Sequence, residues 1–171
     1  MTRSGLLFLI LLGCQTHSLE VVPVPRETAP VDAGQDAAPT PCRDAKGLWH
    51  MPNPAWTPGK FCSQTDPNFE DFRYAGHVAY CKRNVSQSEK TGVATLYGIP
   101  KSDWSLYEFD HFLPLNAGGS DEWSNIWPQP LAEAHEKDKV EDEFYLGLKN
   151  GTMTQAEAEA KIRAWRPSMC P

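Results

Sequence analysis

The chain has no basic surplus, no apolar run long enough to cross a bilayer and no Cys-x-x-Cys pair. Its 16 lysines and arginines face 22 aspartates and glutamates, a net charge of -6, which argues against the broadly basic surface by which most nucleic-acid binders hold their polyanion. The longest apolar stretch, residues 6–12, falls far short of the roughly 20 residues that a spanning helix requires. The cysteines are too widely set to read as a structural zinc site. No internal repeat is visible, so a stacked-repeat architecture is set aside. What remains is 171 residues, 40% apolar and 22% charged, enough for one globular domain and a tail.

The short apolar stretch is informative in itself. Preceded by Arg3, it has the form of a secretory signal. Leu11-Leu12-Gly13-Cys14 resembles the lipobox of bacterial lipoproteins, which implies a signal peptide over residues 1–13 and lipidation of Cys14; an ordinary signal with a chance cysteine is the alternative. Several acyl chains on one cysteine anchor a protein stably where a single chain does not. Gln15, where an aspartate would resemble the inner-membrane retention signal, points to the outer membrane. Residues 14–41 carry five prolines and no periodic apolar face, so they are expected to form a disordered tether. The expected location is therefore the bacterial cell envelope, with a folded domain over residues 42–171 held to a membrane by its lipid.

Setting Cys14 aside leaves Cys42, Cys62, Cys81 and Cys170, an even set in an exported chain, and two disulfides are the default. Three pairings are open. The preferred one joins Cys42 to Cys170 across the ends of the domain and Cys62 to Cys81. Residues 41–69 are dense in proline and turn formers and should be irregular. Residues 72–85 read as a short strand. Residues 86–100 read as a helix that Ser86 and Glu89 begin as a capping box, Gly98 ends and Pro100 keeps from continuing. The last helix starts at the capping pair Thr154 and Glu157.

Between these lies "YEFDHFLPLNAGGSDEWSNIWPQP", residues 107–130. Its aromatic content makes a strand, "NAGGSDE" a turn and "WSNIWPQ" a second strand. A helix follows over residues 131–149, with Leu131, Ala134, Phe144, Tyr145 and Leu148 spaced to face a core. On a regular strand Asp110 and His111 point to opposite sides, so one can hold an ion while the other faces a substrate. A carboxylate and an imidazole suit a divalent Lewis acid, and histidine has the pKa range of a general base.

This stretch, with "AHEKDKVEDEF" after it, resembles the HNH endonucleases: Asp110-His111, Pro114, Gly118-Gly119, Asn125, Trp127-Pro128, His135 and Lys137-Asp138 fall in the expected order. The resemblance implies an α+β fold with a ββα-metal core, flanking helices and a disulfide-stapled N-terminal region. It makes His111 the general base, Asp110 and His135 the metal ligands, with Asp138 as a substitute for His135. Asn125 becomes the residue that ties the inter-strand loop so that His111 is oriented. The implied metal is magnesium, with manganese as a substitute and zinc behind both. The implied activity is hydrolysis of phosphodiester bonds with little sequence discrimination, DNA ahead of RNA. No protein partner is inferable.

Charge is the awkward fact for that reading. Two of the cations and four of the carboxylates precede residue 42, leaving 14 against 18 in the domain. The deficit is uneven: Arg73, Lys82, Arg83, Lys90 and Lys101 face Glu89 alone between residues 73 and 101. Lys82 and Arg83 are the expected phosphate-binding rim, whereas the acidic run 133–143 is expected mostly on the outer face of its helix. Two other readings stand beside the nuclease: a non-catalytic lipoprotein binding module on an HNH-like scaffold, and a hydrolase of some other phosphoester.

Overall fold

A computed structural model describes residues 42–44 and 47–170. The expected signal peptide, Cys14 and the tether lie outside the described residues. Among the described residues the architecture is mixed α+β, with two separate two-stranded antiparallel sheets and three α-helices. Both expected disulfides form, Cys42–Cys170 and Cys62–Cys81.

Residues 72–85 do not make one strand. They contribute to a hairpin of β1 (Phe69–Arg73) and β2 (Val78–Cys81). The reason is local: Tyr74 and His77 both adopt positive φ, 61° and 49°, and reverse the chain around Ala75-Gly76. A bulky tyrosine in the left-handed region is costly. Here it is held from outside, because its hydroxyl donates to the Asn116 carbonyl at 2.9 Å and its ring meets Tyr145 edge-on.

Helix α1 (Gln87–Tyr97) begins at the Ser86–Glu89 capping box and ends at left-handed Gly98, as its residues dictate. An unanticipated 3-10 turn, Lys101–Leu106, leads into β3 (Tyr107–His111). Burial alternates along β3: Tyr107, Phe109 and His111 are buried, while Glu108 and Asp110 are half-exposed. β3 pairs antiparallel with β4 (Ile126–Pro130), setting Asp110 opposite Trp127 and His111 opposite Ile126. Helix α2 (Leu131–Asn150) follows at once, and α3 (Gln155–Ala164) begins at its Thr154–Glu157 box.

Two apolar clusters hold these elements. One gathers Trp49, Val93, Tyr97, Phe109 and Trp127 from the N-terminal segment, α1 and the β3–β4 sheet. The other gathers Val78, Leu113, Phe144, Leu148 and Ile162 from β2, the loop after β3, α2 and α3. Removing the ring of fully buried Phe144 would cost about 3–5 kcal/mol. Leu131 and Tyr145 do not join the core, being 46% and 39% exposed. The inner face of α2 runs instead through Glu133, Ala134, Lys137, Phe144 and Leu148. Its first half is polar because it lies against a polar site.

Candidate active site

The loop between β3 and β4 is built around one side chain. Asn125, fully buried, accepts from the Leu113 N–H at 2.9 Å and donates to the carbonyls of Leu113 at 2.9 Å and Ser120 at 2.7 Å. Its own carbonyl accepts from the Phe112 N–H at 2.8 Å. Gly118 ends a 3-10 turn with φ 89°, and a Cβ on Gly119 would run into the Leu113 carbonyl. The two glycines and Asn125 thus bring the returning chain against the end of β3. These bonds fasten the inter-strand loop to the end of β3.

That closure delivers a residue the sequence reading did not single out. Asp121, 3% exposed, sets Oδ1 2.8 Å from His111 Nε2. Its other oxygen accepts from the Asn84 N–H at 2.8 Å and from Asn68 Nδ2 at 3.1 Å. A carboxylate only accepts, so Nε2 carries a proton, and in the neutral ring Nδ1 is then the nitrogen with the lone pair. Arg83 Nη1 lies 3.5 Å from that Nδ1 and 3.6 Å from Asp110 Oδ1, while Nη2 donates to the Phe109 carbonyl at 2.7 Å. Arg83 therefore caps both functional groups from the exposed side. Lys82 beside it is exposed and makes no contact with either functional group.

Asp110 faces α2, as strand alternation requires. Lys137 Nζ donates to Asp110 Oδ2 at 2.6 Å, to the His111 carbonyl at 2.8 Å and to Glu141 Oε1. The lysine side chain is 1% exposed. Burial opposes its charge, but the two carboxylates outweigh that and raise its pKa above the ordinary lysine value. Burial likewise opposes the charge on Asp110, and the Lys137 ammonium more than compensates, holding the carboxyl below the usual range. Glu141 goes the other way: its own burial and then the charge of Asp110 outweigh the help of Lys137 and raise it.

His135 does not reach the site. Its side chain is 88% exposed and its ring lies 3.5 Å from Asp138, itself 66% exposed. At about 100° per residue, position 135 sits some 200° around the helix from Lys137, on the solvent side. The helix residues that meet Asp110 and its neighbours are Lys137 and, one turn on, Glu141. Likewise the acidic run is not wholly external, since Glu133 and Glu141 lie on the inner row with Lys137.

Asp110, His111, Arg83 and Glu141 border one cavity of about 310 Å³, walled further by Arg73 and three tyrosines, 74, 80 and 145. Arg73 stacks over the Tyr80 ring. Asn116, on the same cavity, leaves its Oδ1 buried and unpartnered. Two carboxylates close enough to share one ammonium, with an amide oxygen nearby, make a hard-oxygen donor set. That set fits magnesium or manganese, ions that complete their shell with water and substrate phosphate, better than zinc. Among the described residues, the one group of three histidine, cysteine or carboxylate side chains spaced to hold a metal is Cys62, Asp66 and Cys81, and its cysteines are spent in a disulfide.

Compared with family models, curated proteins and solved structures, the chain matches none at significance.

Proposed function

We propose that the domain is a metal-dependent endonuclease hydrolysing phosphodiester bonds of nucleic acid, DNA ahead of RNA, with little sequence discrimination. The observation that carries this reading is the Asp121–His111 pair, whose Nδ1, capped by Arg83, borders the same cavity as two carboxylates and two arginines. A base held in one tautomer, a cation for phosphate and a hard-oxygen metal site are the parts that phosphodiester hydrolysis requires. The reading extends to the N-terminus as a lipid-anchored form, with Cys14 as anchor and residues 14–41 as the tether.

In this mechanism a substrate phosphate draws the half-exposed Arg83 guanidinium to itself. That movement uncovers His111 Nδ1 and Asp110 Oδ1 together. His111 then takes a proton from water at Nδ1 as the water oxygen bonds to phosphorus and the P–O bond to the leaving sugar oxygen breaks. Asp121 stabilises the resulting imidazolium through Nε2. A divalent ion held by Asp110 and Glu141 would neutralise charge developing on the phosphate and leaving oxygen. Weak sequence discrimination follows from a site built for the phosphate backbone.

The test uses metal-stripped protein and supercoiled plasmid, with and without magnesium, beside a folded His111→Ala variant. Nicking that needs both the metal and His111 supports the reading. Failure to cut plasmid, single-stranded DNA or RNA with magnesium, manganese or zinc overturns it in favour of the binding module. Activity on a small phosphodiester alone would favour another phosphoester substrate.

A further inference from the structure

Lys137 is the least accessible charge in the site, and all three of its N–H bonds are used: by Asp110, by the His111 carbonyl and by Glu141. With 1% of its side chain exposed it cannot touch a substrate. An ammonium so placed has two physical consequences. It holds side by side two carboxylates that would otherwise repel each other, and it cancels part of the field that would attract a second cation. Arg83, 3.6 Å from the other oxygen of Asp110, cancels more. The two cations balance the two carboxylates that would hold an ion, so the pair attracts a further cation only weakly.

We infer that Lys137 is a positioning residue that presets Asp110 and Glu141 while keeping the empty site a poor trap for divalent ions, so that ion and polyanionic substrate bind interdependently. The inference rests on the metal-dependent reading above. Its logic is electrostatic. A phosphate that engages Arg83 removes one cation from the carboxylates and adds an anion, so the site becomes negative only once substrate is present. Free-energy linkage makes the effect reciprocal: whatever factor DNA adds to ion affinity, the ion adds to DNA affinity.

The experiment is a manganese titration of the full-length protein, metal-stripped and carrying His111→Ala so that DNA stays intact, followed by the paramagnetic signal of free Mn²⁺. It is run alone and with a short DNA duplex. DNA is expected to raise Mn²⁺ affinity about tenfold or more, and Mn²⁺ to raise DNA affinity by the same factor in fluorescence anisotropy. Adding Lys137→Met is expected to tighten Mn²⁺ binding without DNA about tenfold, while the part of the coupling that runs through Arg83 remains. If Lys137→Met does not fold, Lys137→Met/Glu141→Gln, which removes the ammonium with one carboxylate, replaces it. That variant should bind Mn²⁺ without DNA at least as tightly as its parent despite losing a ligand. Equal Mn²⁺ affinity with and without DNA overturns the inference and leaves the nuclease reading standing, as does weaker binding by the double variant. No Mn²⁺ binding in either state, with metal-free wild type still nicking plasmid, overturns the metal-dependent reading itself and the inference with it.

Discussion

Asp121 Oδ1 lies 2.8 Å from His111 Nε2, with both side chains almost wholly buried, and the pair spans the loop that Asn125 closes. Position, tautomer and burial of the imidazole are therefore all set from one side, leaving the opposite nitrogen for chemistry. Asp121→Asn tests this directly. An amide can offer its N–H₂ to Nε2 and move the proton to Nδ1, which disarms the base without removing the histidine. Cleavage is expected to fall by about 10²–10⁴, and the imidazole ¹⁵N shifts should report the other tautomer. Unchanged shifts with an unchanged rate would remove Asp121 from the mechanism.

Asn125 should behave differently, because its bonds go to backbone. Asn125→Ala leaves the N–H and carbonyl of Leu113 and the carbonyl of Ser120 without their buried partner. At about 1–3 kcal/mol for a stranded buried group, a loss of several kcal/mol is expected in urea denaturation. Asn125→Asp should be worse, since it sets a carboxylate oxygen against two carbonyls. A variant as stable as wild type yet inactive would point to direct catalysis by Asn125 instead.

The two ends of the acidic helix make a contrasting pair. His135→Ala changes an exposed residue and should shift stability by less than about 0.5 kcal/mol, with nicking retained. Glu141→Gln removes a charged cavity oxygen and should lower the metal-dependent rate by about 10². The reverse ranking would restore His135 as the ligand and require α2 to rotate.

How much of this was legible beforehand depends on range. Capping boxes at Ser86–Glu89 and Thr154–Glu157 act over three residues and were readable. So was the strand, turn, strand, helix order, because aromatic strands and a double glycine are local signals. The rest needed tertiary placement. Which carboxylate meets His111 depends on how the Gly118-Gly119 turn returns the chain, and the loop offers two, Asp121 and Glu122. The burial of Lys137 is not readable locally, because lysine is rarely buried; only the carboxylates on β3 and one turn along α2 compensate it. The Lys137–Glu141 spacing of four was the signal available for the inner row. Tyr74 and His77 broke the expected strand because glycine, the residue that normally announces positive φ, stands between them rather than at either position.

Asp66 provides a test of pH dependence away from the site. It accepts from the Ser63 N–H at 2.8 Å and lies 3.4 Å from Lys60, fixing the turn between Cys62 and the β1–β2 hairpin. Burial opposes its charge, but the Ser63 bond and Lys60 prevail, so its carboxyl titrates below the ordinary 3.8. A carboxyl with a depressed folded-state pKa contributes its full stabilisation above 3.8 and loses it as pH falls through the lower folded value. Asp66→Asn should therefore cost about 1–2 kcal/mol at neutral pH, the worth of a charge-assisted hydrogen bond. The gap to wild type should narrow as pH falls below 3.8 through the lower folded value, where the native carboxyl itself protonates. Urea denaturation of both proteins over a pH series from neutral into that acid range measures it. A gap that stays constant with pH would mean that the turn depends on the shape of the residue and not on its charge.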